Sequence, residues 1–324
     1  MSFPGAHATH FELKSGVSIS RLGLGAAALG GLYSAVSETE GEDVVQTALD
    51  NGISYIDSAP HYGKGTSERR LGRYLAGIPR KSYVLSTKVG RLLVPSTNGH
   101  DEDFADADQS VERVFDFSAE GVRRSLEESL KRLNQDFVEI VFIHDADDHA
   151  DQAITQAYPA LEKLRAEGLI KSIGVGMNQA TIPTRFINET DIDVVLIAGR
   201  YSLLDQSAES DLLPAALKRN VSVIVGGVFN SGILANPIVG STYDYAPAGS
   251  GILARALAIK EVLREFDVDI AQAALQFPLQ HPAVKSVLVG CRSGMEVLEN
   301  IGNFNKFVPD DAWDALAALR SKIV

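Results

Sequence analysis

Short apolar runs alternate along the chain with longer amphipathic segments, and this alternation restricts the fold more than any other feature. Continuous runs of Val, Ile and Leu are typical of parallel strands that are buried on both faces. Eight such runs cover residues 22–24, 53–56, 83–85, 138–143, 170–175, 194–198, 221–225 and 287–289. They predict eight buried parallel strands.

Segments with helical periodicity separate the predicted strands. In one of them Val122, Leu126 and Leu130 recur at helical spacing, and most residues between them are charged. Helices are predicted over residues 41–50, 68–75, 119–133, 151–167, 180–188, 210–218, 252–266, 294–304 and 310–320. The alternation predicts an α/β fold, a (β/α)8 TIM barrel with an extra C-terminal helix. A doubly wound open sheet is the alternative.

Two connections are longer than the loops that usually join a strand to a helix. They cover residues 91–118 and 229–251, and each follows a predicted strand. Both therefore belong at the C-terminal mouth of the barrel, where the active sites of this fold form. Because the strand count needs both sides of each connection, we interpret residues 1–324 as a single domain.

Composition and charge exclude several classes of protein. The net charge of −12 over 324 residues argues against a nucleic-acid binder. Cys291 is the only cysteine, which excludes an internal disulfide and favours a reducing compartment. The start of the chain lacks a signal-peptide pattern, and Gly, Asn and Pro interrupt the uncharged stretch 220–243. We expect a cytoplasmic protein with a small-molecule substrate and no membrane partner, either a monomer or a dimer.

A dinucleotide-binding fingerprint occurs near the start of the chain. Gly23, Gly25 and Ala28 match the pattern G-x-G-x-x-A, which requires a helix that opens at its last position. The residues after Ala28 do not favour a helix before Glu40. We interpret the match as a glycine-rich strand followed by a loop.

Four ionisable residues lie at or just after the ends of three consecutive predicted strands: Asp57, Tyr62, Lys88 and His144. In a barrel they would face one bowl. A lysine ammonium lowers the pKa of a nearby tyrosine, an aspartate keeps the lysine charged, and a histidine can hold a substrate oxygen. Each residue alone is more often structural. Their convergence predicts a proton-transfer site for the interconversion of C–OH and C=O.

A metal site is a competing interpretation of the segment that begins at His144. Its possible ligands are His144, Asp145, Asp147, Asp148 and His149. The chain supplies no further ligands at a known metal-site spacing. We therefore predict a hydrated acidic loop and no metal.

The chain resembles the aldo-keto reductase family over essentially its whole length. The resemblance rests on residues 53–75, 84–91, 125–145, 159–176 and 291–301, and the first segment is the most specific. There the matched residues are Asp57, Ala59, Tyr62, Ser67, Glu68 and Gly72. The resemblance implies a nicotinamide-dependent oxidoreductase on a (β/α)8 barrel, with Asp57, Tyr62, Lys88 and His144 as the catalytic tetrad.

The resemblance also implies a set of cofactor contacts. Asn178 matches the Asn of a Ser-Asn pair that follows the fifth strand. The sequence departs from the family at two positions, because Ala198 replaces a Gln on the sixth strand and Gly226 replaces a stacking Tyr on the seventh. The implied cofactor-binding residues are Gly25, Ala26, Asp57, Asn178, Phe229, Asn230, Ser231, Gly232, Gly290, Arg292, Glu296, Glu299 and Asn300.

The C-terminal segment bears on the choice of cofactor. Gly290 and Glu296 occupy positions where family members that prefer NADP carry Lys and Arg. A glutamate would repel a phosphate and accept a hydrogen bond from a ribose hydroxyl. Arg292 nearby could stack on adenine or pair with a phosphate. We predict NAD rather than NADP.

Residues 114–118, 144–145 and 174–179 resemble a branch of the family that oxidises aldoses or pyridoxal. The resemblance implies that a cyclic hemiacetal is oxidised to a lactone. The predicted substrate-binding residues are Tyr33, His61, Tyr62 and His144, and further candidates at the mouth are Arg91, His149, Arg200, Tyr243 and Tyr245. A nucleotide-binding regulatory protein and an isomerase or lyase on the same barrel are the alternatives of other classes.

Overall fold

Eight parallel strands close into a barrel in the computed structural model, which describes residues 5–97 and 99–323. The barrel strands are β1 (Leu22–Gly25), β2 (Tyr55–Asp57), β3 (Val84–Val89), β4 (Ile140–His144), β5 (Ser172–Met177), β6 (Val194–Ala198), β7 (Ser222–Gly226) and β8 (Val284–Gly290). Each strand pairs with the next, and β8 pairs with β1. The predicted (β/α)8 barrel is confirmed, and the alternative open sheet is wrong.

Helices surround the barrel between the strands. They are α1 (Glu38–Asp50), α2 (Thr66–Tyr74), α3 (Ala119–Leu133), α4 (Tyr158–Ala166), α5 (Thr181–Glu189), α6 (Leu212–Lys218), α7 (Ser250–Arg264), α8 (Ile270–Gln276), α9 (Gly294–Asn305) and α10 (Asp310–Ile323). The short α8 is not among the helices predicted from the sequence. In the part of the chain that the structure describes, no helix has the length and apolar character needed to span a membrane.

The helix predicted over residues 151–167 is irregular. An α-helical turn at Ala150–Gln152 is followed by a π-helical segment at Ala153–Ala157, and α4 continues from there. Pro159 lies in the first turn of α4 and has no backbone N–H to donate. The π-helical segment ends directly before that turn, where an α-helical hydrogen bond cannot form.

A hairpin that the sequence analysis did not predict fills the N-terminal end of the barrel. His10–Glu12 pairs antiparallel with Ser18–Ser20. Its buried residues Leu13 and Ile19 pack against Tyr55 and other inward-facing residues of the barrel strands. Among the residues that the structure describes, the hairpin closes this end of the barrel interior, which leaves the C-terminal end for a cavity.

The glycine-rich segment after β1 is a turn and not a dinucleotide-binding helix. A 3-10 turn covers Ala28–Gly30, and α1 begins only at Glu38. The interpretation of the match as a glycine-rich strand followed by a loop is confirmed. A Cβ on Gly30 would lie 2.6 Å from the carbonyl carbon of Tyr62. The glycine therefore allows the turn to pack directly on the loop that carries Tyr62.

The two long connections lie at the C-terminal mouth, as predicted. Within residues 91–118, Arg91–Pro95 and Val111–Phe115 form an antiparallel hairpin that the sequence analysis treated as loop. The tip of this connection, residues 99–108, reaches back to the turn after β1, where Leu32 and Phe104 form an isolated bridge. Within residues 229–251, Thr242–Tyr243 pairs with Ala246–Pro247.

Gly72 sets the distance between α2 and α3. A Cβ at this position would lie 2.5 Å from the carbonyl oxygen of Arg132, which is too close for real contacts. We expect Gly72→Ala to reduce the free energy of unfolding by about 1–3 kcal/mol, because two helices must move apart. Urea denaturation measures this loss. The matched control is Gly302→Ala on α9, where a Cβ meets nothing within 4 Å. That variant should be neutral or slightly stabilising, and equal losses in both variants would contradict the packing argument.

Candidate active site

Lys88, one of the four predicted tetrad residues, is buried and contacts two of the other three. The Lys88 Nζ donates to Asp57 Oδ2 at 2.5 Å, to the Ser58 carbonyl at 2.9 Å and to Tyr62 Oη at 3.0 Å. Lys88 is the residue before the last in β3, and Asp57 is the last residue of β2. The pairing of these neighbouring strands brings the two side chains together. The ring centroid of Tyr62 lies 6.2 Å from that of His144 at the end of β4. The structure thus places all four residues at one end of the barrel.

The ion pair is enclosed by further hydrogen bonds. Ser86 donates its hydroxyl to Asp57 Oδ1 at 2.7 Å, and Tyr55 Oη lies 3.0 Å from Ser86 Oγ. Burial raises the pKa of the Asp57 carboxyl, although Lys88 pulls it down. Burial also opposes the charge of Lys88, but Asp57 and Tyr62 outweigh burial and raise the pKa of this ammonium. Lys88 is therefore a fixed positive charge beneath the phenol oxygen.

The pKa of Tyr62 adds one detail to the sequence analysis. The Lys88 ammonium lowers this pKa, as predicted, but the burial of the ring raises it by more. The net shift is upward from the ordinary value of a tyrosine. The lowering effect of Lys88 was predicted with the right direction. The larger effect of burial was not predicted, because residue identity does not show how completely the phenol is withdrawn from water.

Both histidines beside Tyr62 are neutral. Burial lowers the pKa of His144 far below its usual value, and the positive charges of Lys88 and Arg91 lower it further. Burial and nearby cations lower the pKa of His61 to about 2. A neutral imidazole can donate one hydrogen bond without carrying a proton that competes with the phenol for exchange.

A cavity of about 320 Å³ opens above the tetrad. Its size falls at the lower end of the range of small-molecule sites. The walls contain two carboxylates, two imidazoles and several apolar groups. The lining residues are Ala27, Leu32, His61, Tyr62, Lys88, Asp103, Phe104, His144, Asp145, Gly176, Met177, Asn178, Leu196, Ala198 and Tyr245.

The residues after Tyr62 hold its loop in place and do not reach the cavity. Ser67 Oγ donates to the Ala26 carbonyl at 2.7 Å, which ties the start of α2 to the end of β1. The fully buried Glu68 accepts from Thr87 Oγ1 at 2.5 Å and from Arg132 Nε at 2.7 Å. These contacts give the matched Ser67 and Glu68 a structural role beside the loop that carries Tyr62.

The predicted substrate residues divide into two groups. His61 and Tyr245 line the cavity, and Tyr33 stacks on Tyr245 across the mouth with centroids 6.1 Å apart. The other candidates lie behind the walls or in the outer loops: Arg91 pairs with Asp145, His149 packs between Phe115 and Phe117, Arg200 pairs with Asp205 and Asp244, and Tyr243 contacts Asp205.

Nine lining residues were not predicted to be catalytic, cofactor-binding or substrate-binding. They are Ala27, Leu32, Asp103, Phe104, Asp145, Gly176, Met177, Leu196 and Ala198. Phe104 stacks on Tyr62 with centroids 6.1 Å apart and meets His61 edge-on at 5.3 Å. The signal that could have found Asp103 and Phe104 is their place in the long 91–118 connection, which the sequence already assigned to the mouth.

The competing metal interpretation receives no support from the geometry. Arg91 donates to Asp145 at 2.5 Å, and His149 packs against aromatic rings. In residues 5–97 and 99–323, no three His, Cys, Asp or Glu side chains are grouped as metal ligands.

The cofactor residues predicted near β1 and β8 lie side by side. Gly25 ends β1 and pairs with Gly290 at the end of β8. Ala26 is fully buried next to them, and Asp57 lies behind Lys88 with no exposed surface. Their roles toward a cofactor stay predictions.

The remaining cofactor residues occupy two neighbouring regions. Phe229, Asn230, Ser231 and Gly232 form the turn after β7, and Arg292, Glu296, Glu299 and Asn300 lie just before or within α9. Asn230 and Ser231 have φ values of 44° and 59°, which is unusual for residues other than glycine. Asn300 donates to Cys291 Sγ at 3.3 Å, and burial raises the pKa of this thiol to about 12.

The residues present fit a nicotinamide cofactor. The Asn178 side-chain amide lines the cavity and makes no hydrogen bond to other described residues. A Cβ on Gly226 would meet only Leu196 at 3.7 Å and Ala198 at 4.0 Å. The absence of larger side chains at Ala198 and Gly226 therefore leaves room for a flat ring. Asn230 Oδ1 is buried in the adjacent turn without a partner among the described residues, so a ligand N–H or hydroxyl there would satisfy it.

Removal of the Lys88 ammonium would leave Asp57 buried without its charge partner. We expect Lys88→Met to lower the free energy of unfolding by about 3–5 kcal/mol near pH 8. Because burial raises the folded-state pKa of Asp57, the folded variant binds a proton more tightly than the unfolded chain. The loss should therefore shrink as the pH is lowered to about 5. Urea denaturation of the variant and the natural chain at both pH values measures this difference. Lys260→Met on the exposed face of α7 is the control, and a pH-independent loss in Lys88→Met would contradict the argument.

Comparisons with curated proteins agree with the geometry. A D-threo-aldose 1-dehydrogenase from a Pseudomonas species is 40% identical over 94% of this chain and 95% of its own length. A pyridoxal 4-dehydrogenase from Microbacterium luteolum is 40% identical over 94% of both chains. An L-galactose dehydrogenase from Arabidopsis thaliana is 32% identical over 90% of this chain and 88% of its own.

A solved structure shares the fold. A glycerol dehydrogenase from Gluconobacter oxydans superposes with a TM-score of 0.77 at 24% identity, over 98% of this chain and 96% of that one. The sequence profile of the Aldo/keto reductase family matches residues 21–321. The resemblance found in the sequence is confirmed, and the relatives imply a nicotinamide cofactor. By its sequence over almost its whole length, this chain belongs to the aldo/keto reductase family of oxidoreductases.

Proposed function

We propose that the protein oxidises the anomeric hydroxyl of a cyclic aldose, such as L-fucose, D-arabinose or galactose, to a lactone with NAD. The contact of Lys88 Nζ with both Asp57 and Tyr62 is the observation that carries this proposal. It presents one phenol oxygen to the cavity beside a fixed positive charge. Proton exchange with a carbinol oxygen requires such a group.

Tyr62 acts as the proton acceptor. Its phenolate oxygen takes the hydroxyl proton as the C–O single bond of the substrate becomes a double bond. The nicotinamide, when bound, accepts the hydride that leaves the same carbon. The Lys88 ammonium donates to the phenolate and stabilises it. Since burial raises the pKa of Tyr62, the reactive phenolate becomes more abundant as the pH rises, and oxidation should be faster under alkaline conditions.

His144 positions the substrate. Its neutral imidazole donates an N–H to the reacting oxygen, which orients the hydroxyl toward Tyr62. Because its low pKa keeps the ring neutral, His144 does not supply a proton that would reverse the transfer. The ring of His61 meets that of His144 edge-on, with centroids 5.6 Å apart, and limits how far the His144 ring can rotate.

The cavity walls and the relatives support a polyhydroxylated substrate. Asp103 and Asp145 place two carboxylates at the cavity, where they can accept hydrogen bonds from hydroxyl groups. Phe104 and Tyr245 add aromatic surface on which a sugar ring can pack. The Pseudomonas and Arabidopsis relatives carry the names of sugar dehydrogenases.

Pyridoxal in its hemiacetal form is a second candidate, with 4-pyridoxolactone as the product. The relative from Microbacterium luteolum is named for that substrate. The stack of Phe104 on Tyr62 supplies a flat aromatic wall suited to a pyridine ring. A nucleotide-binding regulatory protein is the candidate of another class, and the assembled tetrad favours an enzyme over it.

We expect turnover of free aldoses when NADH formation is followed across a panel of aldoses and pyridoxal. In Tyr62→Phe, kcat should fall about a hundredfold to ten-thousandfold while NAD binding is kept, because only the exchanging oxygen is lost. Tyr243→Phe is the matched control, since its hydroxyl contacts Asp205 outside the cavity.

Each result of the panel has a distinct meaning. Oxidation of pyridoxal alone would replace the aldose proposal by the second candidate. Tight NADH binding without turnover of any substrate would favour the regulatory protein. Full activity in Tyr62→Phe would remove the proposed role of the phenol.

The preference for NAD over NADP is also part of the proposal. Glu296 Oε2 accepts from the Arg292 backbone N–H at 2.8 Å, and the Arg292 side chain donates to Ser34 Oγ at 2.8 Å. These contacts place a carboxylate at the start of α9, beside the ends of β1 and β8. A negative charge there disfavours a 2′-phosphate.

We expect Glu296→Arg to raise the ratio of kcat/KM for NADP to that for NAD by about tenfold or more, because charge reversal turns repulsion into attraction. Glu296→Gln, which keeps an acceptor for the Arg292 N–H, is the matched variant and should raise the ratio less. Steady-state kinetics with both cofactors measure the effect. An unchanged ratio in both variants would mean that Glu296 does not face the ribose.

Three further expectations belong to the proposal. We place the reaction in the cytoplasm, with a small-molecule substrate and no nucleic-acid or membrane partner. The support is the acidic net charge and the buried free thiol of Cys291, which makes no disulfide.

A further inference from the structure

Asp145 has a backbone conformation that regular strand geometry does not explain. Its φ of 45° lies in the left-handed region, which is uncommon for residues other than glycine and is strained. The residue directly follows His144, the last residue of β4. Successive side chains in a strand point to opposite faces. The left-handed turn allows both His144 and Asp145 to face the same cavity.

One oxygen of the Asp145 carboxylate is bound by neighbouring side chains. Asp145 Oδ2 accepts from Arg91 Nη2 at 2.5 Å and lies 3.5 Å from His144 Nε2. Arg91 is itself fixed, because its guanidinium lies 4.7 Å from the ring centroid of Phe115 and its Nη1 is 3.4 Å from His61 Nδ1. The carboxylate therefore has a defined orientation before any substrate arrives.

The second oxygen of the carboxylate is available. Asp145 Oδ1 accepts no hydrogen bond from any side chain or backbone group in residues 5–97 and 99–323. The side chain keeps a quarter of its surface exposed and lines the cavity. Burial raises the pKa of this carboxyl and Arg91 opposes that shift. An acceptor with a free lone pair thus faces the space next to His144.

We propose that Asp145 determines specificity by accepting a hydrogen bond from the hydroxyl on the carbon next to the reacting carbon. This inference rests on the proposed aldose oxidation. In that reaction the reacting oxygen lies between Tyr62 and His144. Asp145 follows His144 in the chain, and the Asp145 carboxylate lies beside the His144 imidazole. A hydroxyl on the adjacent carbon is therefore the next polar group of the substrate that Asp145 can reach. Arg91 is a positioning residue that holds the carboxylate in this orientation.

The test compares an aldose that the enzyme oxidises with its 2-deoxy analogue. The variant is Asp145→Asn, because asparagine tolerates the left-handed conformation and keeps the size of the side chain. In the natural enzyme we expect kcat/KM to be about 10- to 100-fold higher for the aldose than for the deoxy sugar, as a hydrogen bond to a charged group provides. In Asp145→Asn most of this ratio should be lost, because kcat/KM falls for the aldose and changes little for the deoxy sugar. NADH binding and the melting temperature should change little.

Two further variants separate recognition from a structural role. Asp145→Gly removes the carboxylate and relieves the backbone strain, so it should lose the same ratio even if the asparagine variant folds poorly. Asp267→Asn changes an exposed aspartate outside the cavity that has a similar left-handed φ of 55°, and it should keep the ratio. Equal losses on both sugars in Asp145→Asn and Asp145→Gly would overturn the inference and leave the aldose proposal intact. A natural enzyme that oxidises pyridoxal and no aldose would overturn both.

Discussion

The ion pair between Lys88 and Asp57 is the interaction on which the site depends. Withdrawal of two charges from water costs several kcal/mol for each ion, and this cost is offset only when every remaining donor and acceptor is satisfied. Ser86, the Ser58 carbonyl and Tyr62 Oη provide those partners. The phenol oxygen that we propose exchanges the proton is thus also one of the groups that make a buried ammonium tolerable.

The surrounding structure serves to keep these partners in register. Glu68 joins α2 to β3 and α3 through Thr87 and Arg132, and Ser67 joins α2 to the segment after β1. The loop with Tyr62 is therefore fixed at its C-terminal end by hydrogen bonds that avoid the cavity. The outer walls have a different origin, since Phe104 and Tyr245 come from the two long connections and Tyr33 comes from the segment after β1.

The barrel was predictable from sequence because each strand carries its own signal. A strand that is buried on both faces must be apolar throughout, so runs such as 194–198 show directly in the sequence, and α3 begins with Ser118 as its N-cap and ends as predicted. The tetrad followed from the rule that strand ends share one edge. The hairpin at His10–Ser20 and the hairpin in residues 91–118 were missed, because their strands of three and five residues alternate weakly in polarity. The net pKa of Tyr62 and the orientation of Asp145 depend on burial and on one backbone angle, which residue identity does not specify.

The N-terminal hairpin has a consequence for the kinetics of the enzyme. With Leu13 and Ile19 packed into one end of the barrel, the two reactants must enter and depart through the same mouth. In the proposed reaction, cofactor and substrate would therefore share one entrance. Ordered binding follows wherever the bound substrate covers the cofactor, and departure of the product then limits the rate of successive turnovers.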